Sequence, residues 1–296
     1  MRDYISLFKT YLLEEKKSSF NTVESYIRDL SQFSTYCASF NVNDMALLDT
    51  DFINTYSDYL STHGKSVATK NRIIASLRCY YRFLLSKGIS KSNPIDKIKI
   101  YKCDKKLPDV LDSAEIVLLL SQPDVTDYKG VRDKAMLELL YATGIKVSEL
   151  INLKISEVNL QIGILHLHNE KGKERIIPIY PAAVKSIADY LVNVRPVIVI
   201  NEEEDRLFTN MSGEHLSRQG FWKIIKHYAD VAGIKKDITP HTLRHSFAAH
   251  LLENGAKLSD IKEMLGHSDI SSTQIYAQLM KSKYTAAYSK FHPLAK

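Results

Sequence analysis

Thr239-Pro240-His241-Thr242-Leu243-Arg244-His245, then Leu265-Gly266-His267-Ser268 and Tyr276, are the stretches on which the reading of this chain turns. Pro240 suits the first turn of a helix capped by Thr239. The proline gives up an N–H that has no helical partner, and the threonine hydroxyl accepts from the first turn. That register puts His241, Arg244 and His245 on one face at i, i+3 and i+4, with Leu243, Phe247 and Leu251 on another side, so the polar face is expected to meet a ligand. The planar fork of an arginine binds two phosphate oxygens at once. Gly266 ends the next helix and re-aims His267, because glycine accepts a left-handed cap. Tyr276 follows on a short helix. Histidines, an arginine and a phenol so placed can hold a phosphodiester, stabilise its transition state and attack it without a metal.

Upstream of these motifs the spacing predicts helices at about 113 to 121, 129 to 143 and 147 to 153, the first capped by Asp112 or Ser113. A short β region follows: Ile164 to His168, a turn around Lys171-Gly172, and Arg175 to Ile179. Helices resume at about Pro181 to Val194, Ser217 to Ala232, Pro240 to Asn254, Leu258 to Leu265 and Ser271 to Leu279. This half reads as mostly α with a small antiparallel sheet.

The first hundred residues read as helical throughout. Tyr4, Ile5, Phe8, Tyr11 and Leu12 recur at helical spacing, and so do Val23, Tyr26, Ile27, Leu30, Phe33 and Cys37. The second helix is expected to open at Asn21, with Glu24 three residues later as a variant capping box. A third covers Asp51 to Leu60. A fourth covers about Val67 to Leu85, with Ile73, Ile74, Leu77, Tyr80, Tyr81 and Leu84 on its apolar stripe. After Gly88 a Lys- and Ser-rich stretch through Pro94 to Leu107-Pro108 reads as a linker, about 88 to 108. The expected domains are therefore 1 to 106 and 107 to 296.

The chain has 296 residues, 45% hydrophobic and 25% charged, which suits two globular domains. No run of eighteen apolar residues occurs and Met1 to Lys17 is amphipathic, so the expected location is the cytoplasm, away from membranes. Cys37, Cys79 and Cys103 are far apart, which suggests neither a disulfide framework nor a zinc site. The net charge is +6, unevenly spread: residues 61 to 106 hold twelve Lys or Arg against two Asp or Glu, and residues 1 to 60 hold five against nine. Phosphate backbones respond to local charge, so the basic block is a candidate DNA-facing surface. The competing reading is a solvated lysine-rich face leading into a linker.

His241-x-x-Arg244-His245, the Leu265-Gly266-His267 turn and Tyr276 together resemble the C-terminal signature of the tyrosine recombinases, the phage integrase family. The resemblance is closest to the bacterial Xer type and covers nearly the whole chain. Leu107-Pro108, Thr143-Gly144-Ile145-Lys146-Val147-Ser148-Glu149-Leu150, Lys171-Gly172-Lys173-Glu174-Arg175 and Ser272-Thr273-Gln274-Ile275-Tyr276 support it. It implies a mainly α protein: an N-terminal four- or five-helix DNA-binding domain, and a catalytic domain with a small antiparallel sheet.

The resemblance also implies roles. Tyr276 attacks the scissile phosphate to give a 3′-phosphotyrosine and a free 5′-hydroxyl, with no cofactor and no metal. His241, Arg244 and His267 bind the nonbridging oxygens, where charge grows. A hairpin lysine protonates the leaving oxygen; Lys171 is assigned, and Lys173 remains possible. Lys146 stands where the family pattern carries its first catalytic arginine. A point cation in place of a bidentate fork weakens the site, and Glu149 along the same helix is placed to support whichever cation stands there.

The implied partner is double-stranded DNA, and no small-molecule substrate is implied. Lys70, Arg72, Arg78 and Arg82 in the first half, with Arg218, Lys223 and Lys226 in the second, are the candidate phosphate contacts. Recombining two duplexes requires a tetramer, of this chain alone or with a paralogue. The tail through Tyr284, Tyr288 and Phe291 docks either on a neighbour or on its own domain. The implied activity is site-specific recombination through a Holliday junction, for chromosome dimer resolution or mobile-element movement. Two readings compete with it: a DNA-binding accessory protein with weakened catalysis, and a type IB topoisomerase acting as a monomer without a specific site.

Overall fold

The computed structural model describes residues 4–42, 44–96, 98, 108–168, 174–266 and 273–277. The chain divides into two compact units, Met1–Lys105 and Lys106–Lys296. Both are built mainly of helices, and the second carries a three-stranded antiparallel sheet.

The first unit comprises α1 (Tyr4–Glu14), α2 (Phe20–Ser39), α3 (Thr50–Thr62) and α4 (Val67–Ser86). A side chain that accepts from the first turn starts each of the last three. Ser19 caps α2 by accepting from the Thr22 N–H, Asp49 caps α3 through the Phe52 N–H, and Ser66 caps α4 through the Thr69 N–H. The expected start of α2 at Asn21 is therefore corrected: a serine two residues earlier satisfies the orphan donors. Phe8, Leu12, Leu30, Phe33, Ile53, Tyr56, Leu77 and Tyr80 form one core, with Phe8 and Tyr80 edge to face at 5.4 Å between centroids. One carboxylate sits inside it: Asp29 of α2 accepts from Arg72 Nη1 at 2.5 Å and from Ser76 Oγ at 3.1 Å, both on α4. A buried charge persists when paired and hydrogen-bonded, and this one ties α2 to α4.

The second unit opens with α5 (Ser113–Ser121), where Asp112 and Glu115 form a reciprocal capping box. Then come α6 (Tyr128–Thr143) and α7 (Val147–Asn152), and the strands β1 (Val158–Asn159), β2 (Ile164–His168) and β3 (Glu174–Pro178). The helices α8 (Pro181–Asn193), α9 (Arg195–Ile198), α10 (Arg218–Val231), α11 (Pro240–Glu253) and α12 (Leu258–Leu265) follow, and residues 273–277 are helical. Met136, Leu137, Leu139 and Leu140 make α6 the buried centre of this unit. The α11 side chain of Ser246 anchors the unit's first segment by accepting from the Leu111 N–H at 2.8 Å.

The strand order is β1-β2-β3, with Leu165 opposite Ile177 and Leu167 opposite Arg175. Leu165, Leu167 and Ile177 are buried, so Arg175 stands at an inward position of β3. The strand starts at Glu174, one residue before the expected Arg175, because His168 and Glu174 still pair across the ladder. The two-residue β1 is too short to produce an alternation in sequence.

Candidate active site

Thr239 caps α11, accepting from the Thr242 N–H while Thr242 returns a bond to the Thr239 N–H, and Pro240 occupies the first turn. The residues that follow do not lie on a solvated face. Arg244 is 5% exposed; its Nη2 donates to the Leu265 carbonyl at 2.6 Å and its Nη1 to the Gly144 carbonyl. Both acceptors sit at helix ends closed by left-handed glycines, Gly144 after α6 (φ 57°) and Gly266 after α12 (φ 64°). A Cβ at Gly144 would stand 2.3 Å from Phe247 Cδ1, so the close approach of α11 to this turn requires glycine as much as the positive φ does. Burial lowers the Arg244 pKa to about 10; Glu149 and Tyr276 oppose that shift, and Arg175 adds to it. The guanidinium is charged at neutral pH.

Tyr276 is 1% exposed, and its hydroxyl lies 2.9 Å from Nδ1 of His245. Burial, with His241 and Arg244 nearby, lowers the His245 pKa to about 4. The imidazole is therefore neutral at physiological pH, and in the tautomer with its proton on Nε2 its Nδ1 accepts from the phenol. Burial raises the Tyr276 pKa, and the Arg244 charge pulls it back. His241 is exposed, its ring centroid 6.4 Å from that of His245. Arg244, His245 and Tyr276 thus form one cluster, with His241 at its solvent edge.

Lys146 is exposed at the N-cap of α7. Glu149 does not reach its ammonium: the carboxylate accepts from the Lys146 backbone N–H at 2.7 Å and from Arg175 Nη2 at 2.6 Å. Sequence reasoning named Glu149 as a support and quoted Arg175 without giving it a role. The missed signal was a charged residue at an inward position of a strand. His245 was read only as part of a motif, and its partner lies 31 residues away. His267, Lys171 and Lys173 lie outside the described residues, as do Leu107 and the tail residues Tyr284, Tyr288 and Phe291.

The candidate DNA contacts divide by environment. Lys70 is buried and donates to Ser61 Oγ at 2.9 Å, Arg72 holds Asp29, and Arg78 donates to the Ile98 carbonyl at 3.1 Å. Each of the three has a partner within the first unit; Lys70 is buried, while Arg72 keeps 40% of its side chain exposed and Arg78 is half-buried. Arg82 is exposed, and so are Arg218 and Lys223 on α10. Lys226 pairs with Asp237, its ammonium 5.6 Å from the Trp222 ring centroid. Among the described residues no helix is long and apolar enough to cross a membrane.

Residues 109–283 match the phage integrase family, and residues 5–88 match the phage integrase N-terminal SAM-like domain. The chain is 42% identical over 295 residues to the tyrosine recombinase XerD of Staphylococcus epidermidis, covering 100% of both. It is similar to the crystal structure of XerA recombinase, with a TM-score of 0.55, 28% identity and 99% of each chain covered. It also resembles the XerH site-specific recombinase bound to palindromic difH substrate in a post-cleavage complex. There the TM-score is 0.77 at 22% identity, covering 96% of this chain and 84% of that one.

Proposed function

The chain belongs to the phage integrase family and is a site-specific tyrosine recombinase, a DNA strand transferase; on that premise we propose that Tyr276 is its nucleophile. The observation that carries this reading is the phenol held 2.9 Å from a neutral imidazole, beside the buried Arg244. His245 Nδ1 takes the phenolic proton as the oxygen attacks phosphorus. The new P–O bond to Tyr276 replaces the bond to the 5′-oxygen, which leaves as a hydroxyl after receiving a proton from Lys171 or Lys173. The phosphoester energy stays in the 3′-phosphotyrosine, and reversal by a new 5′-hydroxyl rejoins the strand.

Arg244 and His241, with His267 and Lys146, are the groups assigned to the nonbridging oxygens, where negative charge develops at five-coordinate phosphorus. Since the phenol is buried, attack requires the site to open around the Tyr276–His245 pair when DNA binds, with the two side chains kept together. Arg82, Arg218 and Lys223 are the exposed cations assigned to backbone phosphates. XerH acts on a palindromic substrate, and a two-fold site bound by two protomers suits this chain also. Strand exchange between two duplexes then uses four protomers, of this chain or of this chain with a paralogue, through a Holliday junction. Dimer resolution and mobile-element movement both use this chemistry.

A nicked suicide substrate tests the reading. Loss of the short downstream strand after cleavage traps a covalent protein-DNA adduct, expected for the wild-type chain and absent in Tyr276→Phe. Tight binding without any adduct supports the second reading, a DNA-binding accessory protein with weakened catalysis, which the exposed Lys146 favours.

A further inference from the structure

Arg175 is a buried cation that the assignments above leave without a task. It stands opposite Leu167 at an inward position of β3, and its side chain is 9% exposed. Nη2 donates to Glu149 at 2.6 Å, and the buried Nε has no hydrogen-bond partner among the described residues. Nη1 lies against Gly266, so closely that an added Cβ there would stand 1.7 Å from it. The preceding residue, Leu265, gives its carbonyl to Arg244. Two guanidinium groups therefore meet at adjacent residues on the end of α12, and Glu149 is the carboxylate that offsets the charge of both.

A strand position facing a hydrophobic core is ordinarily apolar. Burying a guanidinium there costs several kcal/mol before its ion pair compensates, and an apolar side chain of similar volume avoids that cost. A residue so expensive to bury contributes something other than stability, and its two contacts say what. One reaches Glu149, whose other bond sets the backbone of Lys146. The other closes on the helix end that holds Arg244.

We propose that Arg175 is a positioning residue of the phosphate-binding centre, fixing Lys146 through Glu149 and fixing the Leu265-Gly266 helix end on which Arg244 is held. The proposal rests on the reading of Lys146 and Arg244 as phosphate ligands. Arg175 touches no substrate; it keeps two cations from different elements in one register.

The test is single-turnover cleavage of saturating nicked DNA by the full chain, for Arg175→Gln, Arg175→Lys, Glu149→Gln and the Arg175→Gln/Glu149→Gln double variant, with DNA affinity measured beside each. Arg175→Gln is expected to slow cleavage by about 10- to 100-fold, the usual effect of removing a group that orients a ligand, with affinity unchanged. Arg175→Lys recovers part of that rate, because an ammonium keeps the charge and loses the fork. The double variant is expected to lose less than the product of the two single losses, since the two residues share the Arg175–Glu149 bond. Wild-type cleavage by Arg175→Gln overturns the proposal, as does a double variant whose loss is the product of the single losses. Should Arg175→Gln not fold, Glu149→Gln decides in its place: slowed cleavage at unchanged affinity supports the proposal, and an unchanged rate overturns it. An adduct independent of Tyr276 defeats the nucleophile assignment, whereas a Tyr276-dependent adduct formed equally well by Arg175→Gln defeats this inference alone.

Discussion

The hydroxyl of Tyr276 lies 2.9 Å from Nδ1 of His245, and the phenol is withdrawn from solvent. This bond holds the phenol proposed as nucleophile beside a group able to accept its proton, in a place closed to a phosphodiester. Proximity and shelter are thus combined, and each has measurable consequences.

The shelter makes stability depend on pH. The pKa of His245 is lowered from 6.5 to about 4 in the folded chain, so the unfolded chain binds this proton first as pH falls. Its contribution to stability is complete above about pH 6.5 and is lost progressively toward about pH 4. Discounted for partial solvent access, the loss is about 2 kcal/mol. Urea unfolding of the wild type and His245→Phe across this range measures it. The gap between the two is expected to shift in favour of the variant as pH falls, and parallel curves would contradict the assignment.

On the proposed assignment, position 146 is expected to limit the rate. Lys146→Arg replaces a point donor with a bidentate fork, and is expected to raise single-turnover cleavage by at least about tenfold while affinity for DNA stays the same. Equal or slower cleavage in that variant removes this account of Lys146.

Gly144 carries two demands at once. Alanine there meets Phe247 and strains a left-handed backbone, which costs roughly 1–2 kcal/mol for the conformation alone. It also displaces the carbonyl that Arg244 binds. Thermal unfolding of Gly144→Ala is expected to shift downward, and its cleavage rate to fall further than DNA affinity does. A rate that tracks affinity would show that the turn serves stability only.

Two arginines of α4 that look alike in sequence should behave differently. Arg72→Ala strands the buried Asp29, and is expected to destabilise the first unit by about 1–3 kcal/mol with little change in the salt dependence of DNA binding. Arg82→Ala is expected to leave the unfolding temperature alone and to reduce the slope of log K against log salt by about 1. A reversed pattern would exchange their roles.

Much of this was legible from sequence. The helices of both units announce themselves through apolar spacing and through Asp, Ser and Thr caps, which are local signals. The α11 register followed from Thr239 and Pro240 alone. What escaped were partnerships between distant residues. Arg72 and Arg82 share a helix and a composition, and only the approach of Asp29 from α2 separates a brace from an exposed cation. Arg244 looked solvent-facing because its carbonyl partners, Gly144 and Leu265, have no side-chain signature. Glu149 was recognised as a counter-ion, but its partner proved to be a strand arginine 26 residues on and not the neighbouring lysine.

The most direct measurement of the central claim is the identity of the residue joined to DNA after cleavage of a nicked suicide substrate. Proteolysis and mass spectrometry of the trapped complex are expected to place the 3′-phosphate on Tyr276, with the released strand ending in a 5′-hydroxyl that polynucleotide kinase can label. A 5′-phosphate on the released strand, or an adduct that persists in Tyr276→Phe, would contradict it.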